Sequence, residues 1–305
     1  MKRFLVRRLL QTCLVVLGLS LLVFMILHLT GDPALVILPP YARPEEVAAF
    51  REKMGFNDPL LVQYGRFLAR AIRGDFGMSF HQGQPALALV LDRMPATVEL
   101  GVAAMAFALA LAVPAGILAA LRKDKLADLV GMSIALLGQS MPAFWLGLML
   151  VMLISVKLDL LPVSGRGGLA HLVLPAITLG SFTAARVARL TRSEMLEVLG
   201  QDFVRTARAK GLRERAVVGK HAFKNSLVPV LTIVALEFGT VLGGAVITET
   251  IFAWPGVGRL MVDSIFERDF PVVQAGVFVI AVIFVLLNLV VDVAYAWLDP
   301  RIRYT

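Results

Sequence analysis

Long apolar runs separated by short polar segments dominate the hydrophobic pattern of this chain. Six runs are long enough to cross a membrane as helices, since about 20 apolar residues span the hydrocarbon core. They cover residues 9–29, 98–121, 129–156, 172–187, 227–247 and 272–298. The fourth run is the shortest and contains Pro175 and Gly180, which membrane helices tolerate. The pattern predicts an all-α integral membrane protein with six transmembrane helices.

The longest polar stretch, residues 31–95, follows the first run. Prolines interrupt it, and two modest helical patterns cover about residues 44–54 and 60–72. The first run exceeds the core of a secretory signal, which is about 7–15 residues, and lacks its small-residue cleavage site. We therefore expect a retained membrane helix over residues 1–30 and short helices on the outer membrane face over residues 31–95.

The basic residues predict the orientation, because Lys and Arg are retained on the cytoplasmic face of a membrane protein. They concentrate before the first run, between the second and third, and between the fourth and fifth. Acidic residues lie mostly in the alternate segments. Both termini are therefore predicted to be cytoplasmic. Residues 96–300 would form the rest of one membrane domain, with a cytoplasmic loop at residues 188–226.

Composition agrees with this class and excludes others. Of the 305 residues, 58% are apolar and 17% are charged, whereas soluble domains carry about 25% charged residues. The net charge is +8, and most of the basic residues lie in short segments beside apolar runs, as expected for a membrane protein. No basic patch interleaved with aromatic residues indicates nucleic-acid binding. Cys13 is the only cysteine, so one chain forms neither a disulfide nor a thiolate metal site.

The chain lacks the motifs of common catalytic and nucleotide-binding sites. Its Gly219-Lys220 pair is followed by His221, and Glu214 stands where a phosphate-binding loop has glycine. The patterns His-Glu-x-x-His and Gly-x-Ser-x-Gly are absent, and the four histidines are scattered. We expect no catalytic residue, metal site or cofactor in this chain.

Charged residues inside the predicted spans are costly and commonly functional. Glu237 lies ten residues from each end of the fifth span, about 15 Å along a helix and so near mid-membrane. It would line a translocation path, contact a cationic group or be a hydrogen-bonded residue of helix packing. The position of Asp292, near the cytoplasmic end of the sixth span, favours a structural role for it. The spacing of Gly239 and Gly243 favours close helix packing, and a dimer interface would use the same spacing.

The basic stretch at residues 205–229 is the longest polar interruption predicted on the cytoplasmic side. Basic residues suit lipid headgroups. Here, however, a short helix with the small residues Ala207 and Ala209 precedes Gly211, which can end a helix in the left-handed conformation. Such an exposed helix can insert into a groove of a partner protein.

At this stretch the chain resembles the permease subunits of ATP-binding cassette importers, specifically the dipeptide, oligopeptide and nickel branch. Residues 206–212 are similar to that branch's version of the loop with the consensus Glu-Ala-Ala-x-x-x-Gly. Ala207 and Gly211 match, whereas Arg205 and Thr206 stand where the general consensus has Glu and Ala. Further segments typical of the branch follow one another along nearly the whole chain, at residues 31–34, 73–79, 141–147, 249–258 and 288–304.

The resemblance implies a type I importer permease fold and alternating access driven by a separate ATPase. The residues that would couple to the ATPase are Arg205, Thr206, Ala207, Ala209, Lys210, Gly211 and Leu212. Two ATPase subunits would bind ATP and magnesium, a second homologous permease would share the pathway, and an extracytoplasmic binding protein would deliver the substrate. Glu237 is a candidate residue of that path. The implied location is the cytoplasmic membrane of a prokaryote.

Several functions stay open at this point. The branch transports dipeptides, longer peptides, glutathione, nickel and other small solutes, and small peptides are the first hypothesis because they are frequent in it. Nickel, glutathione or another small solute is the alternative within the same architecture. From a different class, an ATP-independent channel or a membrane scaffold would not need the coupling loop. An intramembrane enzyme is disfavoured by the missing catalytic groups.

Overall fold

The computed structural model describes residues 2–29, 34–35, 38 and 41–298, and this part of the chain is almost entirely helical. The helices are α1 (Lys2–Leu29), α2 (Pro44–Met54), α3 (Leu60–Ala71), α4 (Ala86–Leu121), α5 (Leu126–Ser140), α6 (Ala143–Leu150), α7 (Leu169–Leu199), α8 (Asp202–Ala209), α9 (Lys224–Ile251), α10 (Val257–Phe266) and α11 (Phe270–Leu298). A π-helix, Val151–Lys157, continues α6. A single helical turn, Glu214–Ala216, and a second π-helix, Val217–Phe223, lead into α9. The predicted all-α fold is confirmed.

Four described helical stretches are long and apolar enough to cross a membrane. They are Ala86–Leu121, Leu169–Leu199, Glu214–Val241 and Phe270–Leu289. A fifth exists if α5, α6 and the π-helix after α6 are counted together as one bent span. In α1 the described apolar stretch, Cys13–Met25, is shorter than a full span. The count of six and the cytoplasmic termini therefore stay predictions.

The third predicted span is wrong as one continuous helix. The axes before and after the break between α5 and α6 differ by 104°. Met141 and Pro142 are both extended, with ψ of 129° and 134°. A residue before proline is pushed out of the helical region, and proline has no N–H to donate to the preceding turn. The Met141-Pro142 pair therefore breaks the helix.

Helix α7 extends well beyond the fourth predicted span, which ended at Val187. It contains 31 residues and includes Pro175. Residues 193–197, in the predicted cytoplasmic loop, belong to the same helix. The apolar run ends where Arg186 and Arg189 begin. The helix continues because Thr191, Met195 and Val198 recur at intervals of four and three and bury one face of it.

Residues 2–96 of the described chain and residues 256–289 form one compact unit. Its core contains Phe24 of α1, Phe67 of α3 and Phe76, packed with Val257 and Val272. The rings of Phe24 and Phe67 lie 5.9 Å apart, and those of Phe67 and Phe76 lie 6.4 Å apart. Helices α2 and α3 match the two predicted helical patterns to within one residue.

Residues 97–255 form the second unit, in which α7 packs against α5, α6 and α9. Close backbone contact joins α7 to the part of α4 in this unit. A β-carbon built on Gly180 would lie 2.5 Å from the carbonyl oxygen of Ala104, and one on Gly116 would lie 2.7 Å from that of Ala188. Only glycine fits at these two crossings.

Candidate functional site

The predicted coupling segment forms the short helix α8, which ends at a left-handed glycine. Gly211 has φ of +74°. The N–H of Leu212 donates to the carbonyl oxygen of Ala207 at 3.4 Å, and the N–H of Gly211 donates to that of Arg208 at 2.9 Å. These two bonds make a Schellman motif. The predicted conformation of Gly211 is confirmed.

Helix α8 has a buried face and an exposed face. Val204 and Ala207 are 0% and 5% exposed. They belong to a buried apolar cluster with Ala120, Met195, Val198, Val217 and Ala222. The other predicted coupling residues are exposed, namely Arg205, Thr206, Ala209, Lys210, Gly211 and Leu212. The cluster attaches α8 to α4, α7 and the π-helix before α9, and the outer face is open in this chain.

An ion pair closes the turn that follows α8. Arg208 Nη2 lies 2.7 Å from Glu214 Oε1, and Arg208 Nε donates to Glu214 Oε2 at 3.2 Å. This contact with the Glu214 carboxylate raises the pKa of the Arg208 guanidinium. Because the two side chains are 44% and 57% exposed, the pair stabilises the fold by at most about 1 kcal/mol. It shapes the turn more than it adds stability.

A second ion pair joins α5 to α7, whose last two turns pack against α8. Arg192 donates from Nε to Asp128 Oδ1 and from Nη2 to Asp128 Oδ2, each at 2.6 Å. The backbone N–H of Asp124 also donates to Asp128 Oδ2, at 3.0 Å. The Asp128 side chain is 5% exposed and that of Arg192 is 26% exposed. Sequence reasoning missed this pair; its one signal is an acidic residue at the start of an apolar run bordered by basic residues.

Glu237 is buried, at 3% exposure, and pairs with a cation on α7. Arg186 Nη1 lies 2.7 Å from Glu237 Oε1. The hydroxyls of Thr183 and Thr240 each donate to Glu237 Oε2 at 3.3 Å. Contact with a cationic group, one of the alternatives open from sequence, is thus observed. Arg186 is the penultimate residue of the predicted fourth span, and its guanidinium lies beside the middle of α9.

The predicted close-packing glycines of α9 differ from each other. Gly239 is buried, whereas Gly243 is exposed and a β-carbon there would meet nothing within 4 Å. Gly243 therefore makes no close helix contact within the described chain. The side chain of Asp292, and residues 31–33 and 299–304 of the resembling segments, lie outside what the structure describes. Across the described residues, no group of three or more His, Cys, Asp or Glu is arranged to hold a metal ion.

The resembling segment at residues 249–258 begins with deeply buried side chains. Glu249 and Trp254 are both 0% exposed. Thr97 Oγ1 donates to Glu249 Oε1 at 2.7 Å. The guanidinium of Arg166 lies 5.9 Å from the centre of the Trp254 ring and donates from Nε to Glu99 at 2.9 Å. These contacts hold the end of α9, and the residues just after it, against residues 97–99 of α4.

Known proteins match this chain along its whole length. The family model for the binding-protein-dependent transport system inner membrane component matches residues 112–304, and the model for the N-terminal part of such membrane components matches residues 1–101. The dipeptide transport system permease protein DppB of Alkalihalophilus pseudofirmus is 42% identical over 100% of both chains. DppB of Escherichia coli K12 is 40% identical over 100% of this chain and 99% of its own.

Two further comparisons concern a different relative and a solved structure. The glutathione transport system permease protein GsiC of Escherichia coli K12 is 41% identical over 100% of both chains. The inward-facing MetNI methionine ABC transporter superposes with a TM-score of 0.58, at 18% identity, over 69% of this chain and 96% of its own. At that identity the superposition establishes a shared fold.

Proposed function

This chain belongs to the family of binding-protein-dependent transport system inner membrane components, and we propose that it carries small peptides across the cytoplasmic membrane. Its relatives confirm the resemblance to the dipeptide, oligopeptide and nickel branch of ABC importer permeases. The chain is thus a multi-pass transport subunit of the inner membrane and not an enzyme. Members of this family work with ATPase and substrate-binding components.

The identity to full-length peptide permeases carries the substrate assignment. DppB of two species, named for dipeptide transport, matches at 40–42%. Glutathione is the second candidate, because the alignment with GsiC spans 305 positions, the length of this chain, whereas those with DppB span 333 and 337. Dipeptides and glutathione are both short peptides with a free carboxylate. The proposed substrate class, small peptides, therefore includes both candidate substrates.

The exposed face of α8 is the proposed docking surface for an ATPase subunit. Arg205, Thr206, Ala209 and Lys210 are open to a partner, and Gly211 with Leu212 shapes the end of the helix. Ala207 contributes from inside, because its buried contacts hold α8 against α4 and α7. A movement of the ATPase would thus reach these two helices directly, since interiors are close-packed and transmit displacement.

The proposed assembly contains this chain, a second homologous permease, two ATPase subunits that hold ATP and magnesium, and an extracytoplasmic binding protein. In this arrangement residues 1–30 form the first membrane helix and residues 31–95 lie outside the cell. Residues 96–300 form the remaining transport domain, whose loop at residues 188–226 is cytoplasmic. Glu237 belongs to the wall of the translocation path through its partner Arg186, since Glu237 is itself buried.

Reconstituted import tests the peptide assignment. The complete transporter is placed in liposomes with its binding protein and ATP, and uptake of labelled dialanine is compared with uptake of labelled glutathione and of nickel. The expected result is ATP-dependent uptake of dialanine. Uptake of glutathione alone would favour the second candidate, and uptake of nickel alone would contradict the peptide assignment. Uptake without ATP would favour a channel.

A further inference from the structure

One stripe of α7 is exposed along a helix whose other sides are packed. Phe182, Arg186, Arg189 and Ser193 recur at intervals of three and four and therefore share a face. The side chain of Arg186 is 40% exposed and Phe182 is 43% exposed, while residues 183–185 between them are buried. Arg186 is the charged member of this stripe that lies within the predicted fourth span, and charged side chains inside a membrane face protein or a water-filled cavity. The exposed part of Arg186 therefore does not face lipid, whereas Arg189 and Ser193 belong to the predicted cytoplasmic loop.

The exposed residues of α9 near Arg186 include a polar residue, Thr240, and a glycine, Gly243. Arg186 and Thr240 both contact the carboxylate of Glu237, at 2.7 and 3.3 Å. Thr240 is exposed, and Gly243, one turn further along the same face, leaves open space. A cation and a hydroxyl thus lie on the same carboxylate near the middle of the predicted fifth span, and no side chain fills the space at Gly243.

The guanidinium of Arg186 has donors left for a second anion. It carries five N–H groups in a planar fork, and its contact with Glu237 is made through Nη1. Its plane lies near the ring of Phe182, with Cζ 5.7 Å from the ring centre. A fork of this kind binds carboxylates through two parallel hydrogen bonds. Since Glu237 already balances the charge, a second carboxylate would be held weakly and released again, which suits a transport path.

We propose that Arg186 binds the carboxylate of the peptide as it crosses the membrane, with Glu237 positioning the guanidinium. This inference rests on the proposed function, because small peptides with a free carboxyl end supply the anion. Dipeptides and glutathione meet this requirement equally. Arg186 therefore selects for the carboxylate and not for a particular side chain.

The test compares four variants of the complete transporter, reconstituted with its binding protein and supplied with labelled dialanine. Arg186→Gln removes the cation, and Arg186→Gln/Glu237→Gln removes the cation without leaving a buried unpaired carboxylate. Arg186→Glu/Glu237→Arg restores an ion pair but moves the guanidinium to the buried position. In each of these three the maximal uptake rate should fall about tenfold or more, the size expected for losing a charged hydrogen bond. The fourth variant, Arg189→Gln, changes the next arginine of the stripe and should keep uptake within about twofold.

The same preparations are checked for assembly and for the affinity of the binding protein, both of which should match the unmodified transporter. If the Arg186→Gln/Glu237→Gln transporter takes up dialanine at the rate of the unmodified transporter, Arg186 only neutralises Glu237 and the proposal is overturned. Loss of the second permease from the Arg186→Gln complex, or an equal loss of uptake in Arg189→Gln, would also overturn it. If the peptide assignment itself is wrong, the unmodified transporter takes up no dialanine, so the two failures are distinguishable.

Discussion

The guanidinium of Arg192 contacts both oxygens of the Asp128 carboxylate, each at 2.6 Å, and so joins the start of α5 to α7. Two turns later α7 ends, and its residues Met195 and Val198 pack in the cluster that contains Ala207 of α8. A displacement of α8 would therefore act directly on α7, which it contacts. It would reach α5 through the ion pair. The exposed helix α8 is thus in packing contact with several helices at once.

Arg192→Gln is expected to destabilise the protein more than Asp128→Asn. Removing Arg192 leaves a carboxylate that is 5% exposed without its cation, which costs about 3–5 kcal/mol. Removing the charge of Asp128 leaves an arginine that reaches solvent, so the cost is about 1 kcal/mol. Thermal unfolding of the detergent-solubilised protein measures the difference. Equal unfolding temperatures for the two variants would contradict the burial asymmetry.

Ala209→Arg is expected to prevent ATPase binding while leaving the fold of this chain intact. Ala209 is exposed on the proposed docking face, so a long side chain there blocks the approach of a partner without entering the core. Co-purification of the ATPase subunits and thermal unfolding of the permease are measured together. Ala49→Arg, at an exposed alanine of α2, is the matched control and should retain the ATPases. Retention of the ATPases by Ala209→Arg would count against this docking surface.

Gly211→Ala is expected to destabilise the end of α8 by about 1 kcal/mol, because φ of +74° suits glycine and strains alanine. A β-carbon there would meet no atom within 4 Å, so the effect arises from the backbone alone. Gly211→Asn should cost less, since asparagine tolerates the left-handed region. Gly219→Ala has equal space but no positive φ and serves as the control. Unfolding temperatures in the order Gly, Asn, Ala at position 211 are expected; an unchanged Gly211→Ala protein would refute the strain.

Gly180→Ala is expected to cost about 1–3 kcal/mol, the usual cost of overpacking. The new β-carbon would lie 2.5 Å from the backbone oxygen of Ala104, and a backbone atom cannot move aside as a side chain can. Gly131→Ala, where a β-carbon meets nothing, should be neutral or slightly stabilising because alanine favours helices. Thermal unfolding compares the two. A stable Gly180→Ala variant would mean that α4 and α7 are less closely packed.

Local sequence signals predicted the elements whose causes are local. The patterns of α2 and α3 and the left-handed Gly211 depend on residues a few positions apart, and each is confirmed. The break at Met141-Pro142 also has a local cause, a proline preceded by an extended residue. It was missed because the surrounding apolar run was long enough for one span.

Contacts between distant parts of the chain could not be predicted in the same way. Asp128 and Arg192 are 64 residues apart, and Glu237 lies in a different helix from Arg186. A charged residue within an apolar run indicates that some partner exists, but its identity depends on how the helices pack. For the same reason the sequence predicted a coupling role for Ala207 without revealing that its side chain points into the core.

The exposed face of α8 is the surface proposed to hold an ATPase subunit. The most direct measurement is to tag this chain, extract it from its native membrane in mild detergent, and identify the bound proteins by mass spectrometry, for the unmodified chain and for Ala209→Arg. The expected result is recovery of one or two ATPases and a second permease with the unmodified chain, and of the second permease without ATPases with Ala209→Arg. If the unmodified chain purifies alone, under conditions that preserve other complexes of this kind, the claim is contradicted and the basic segment is a lipid-facing surface.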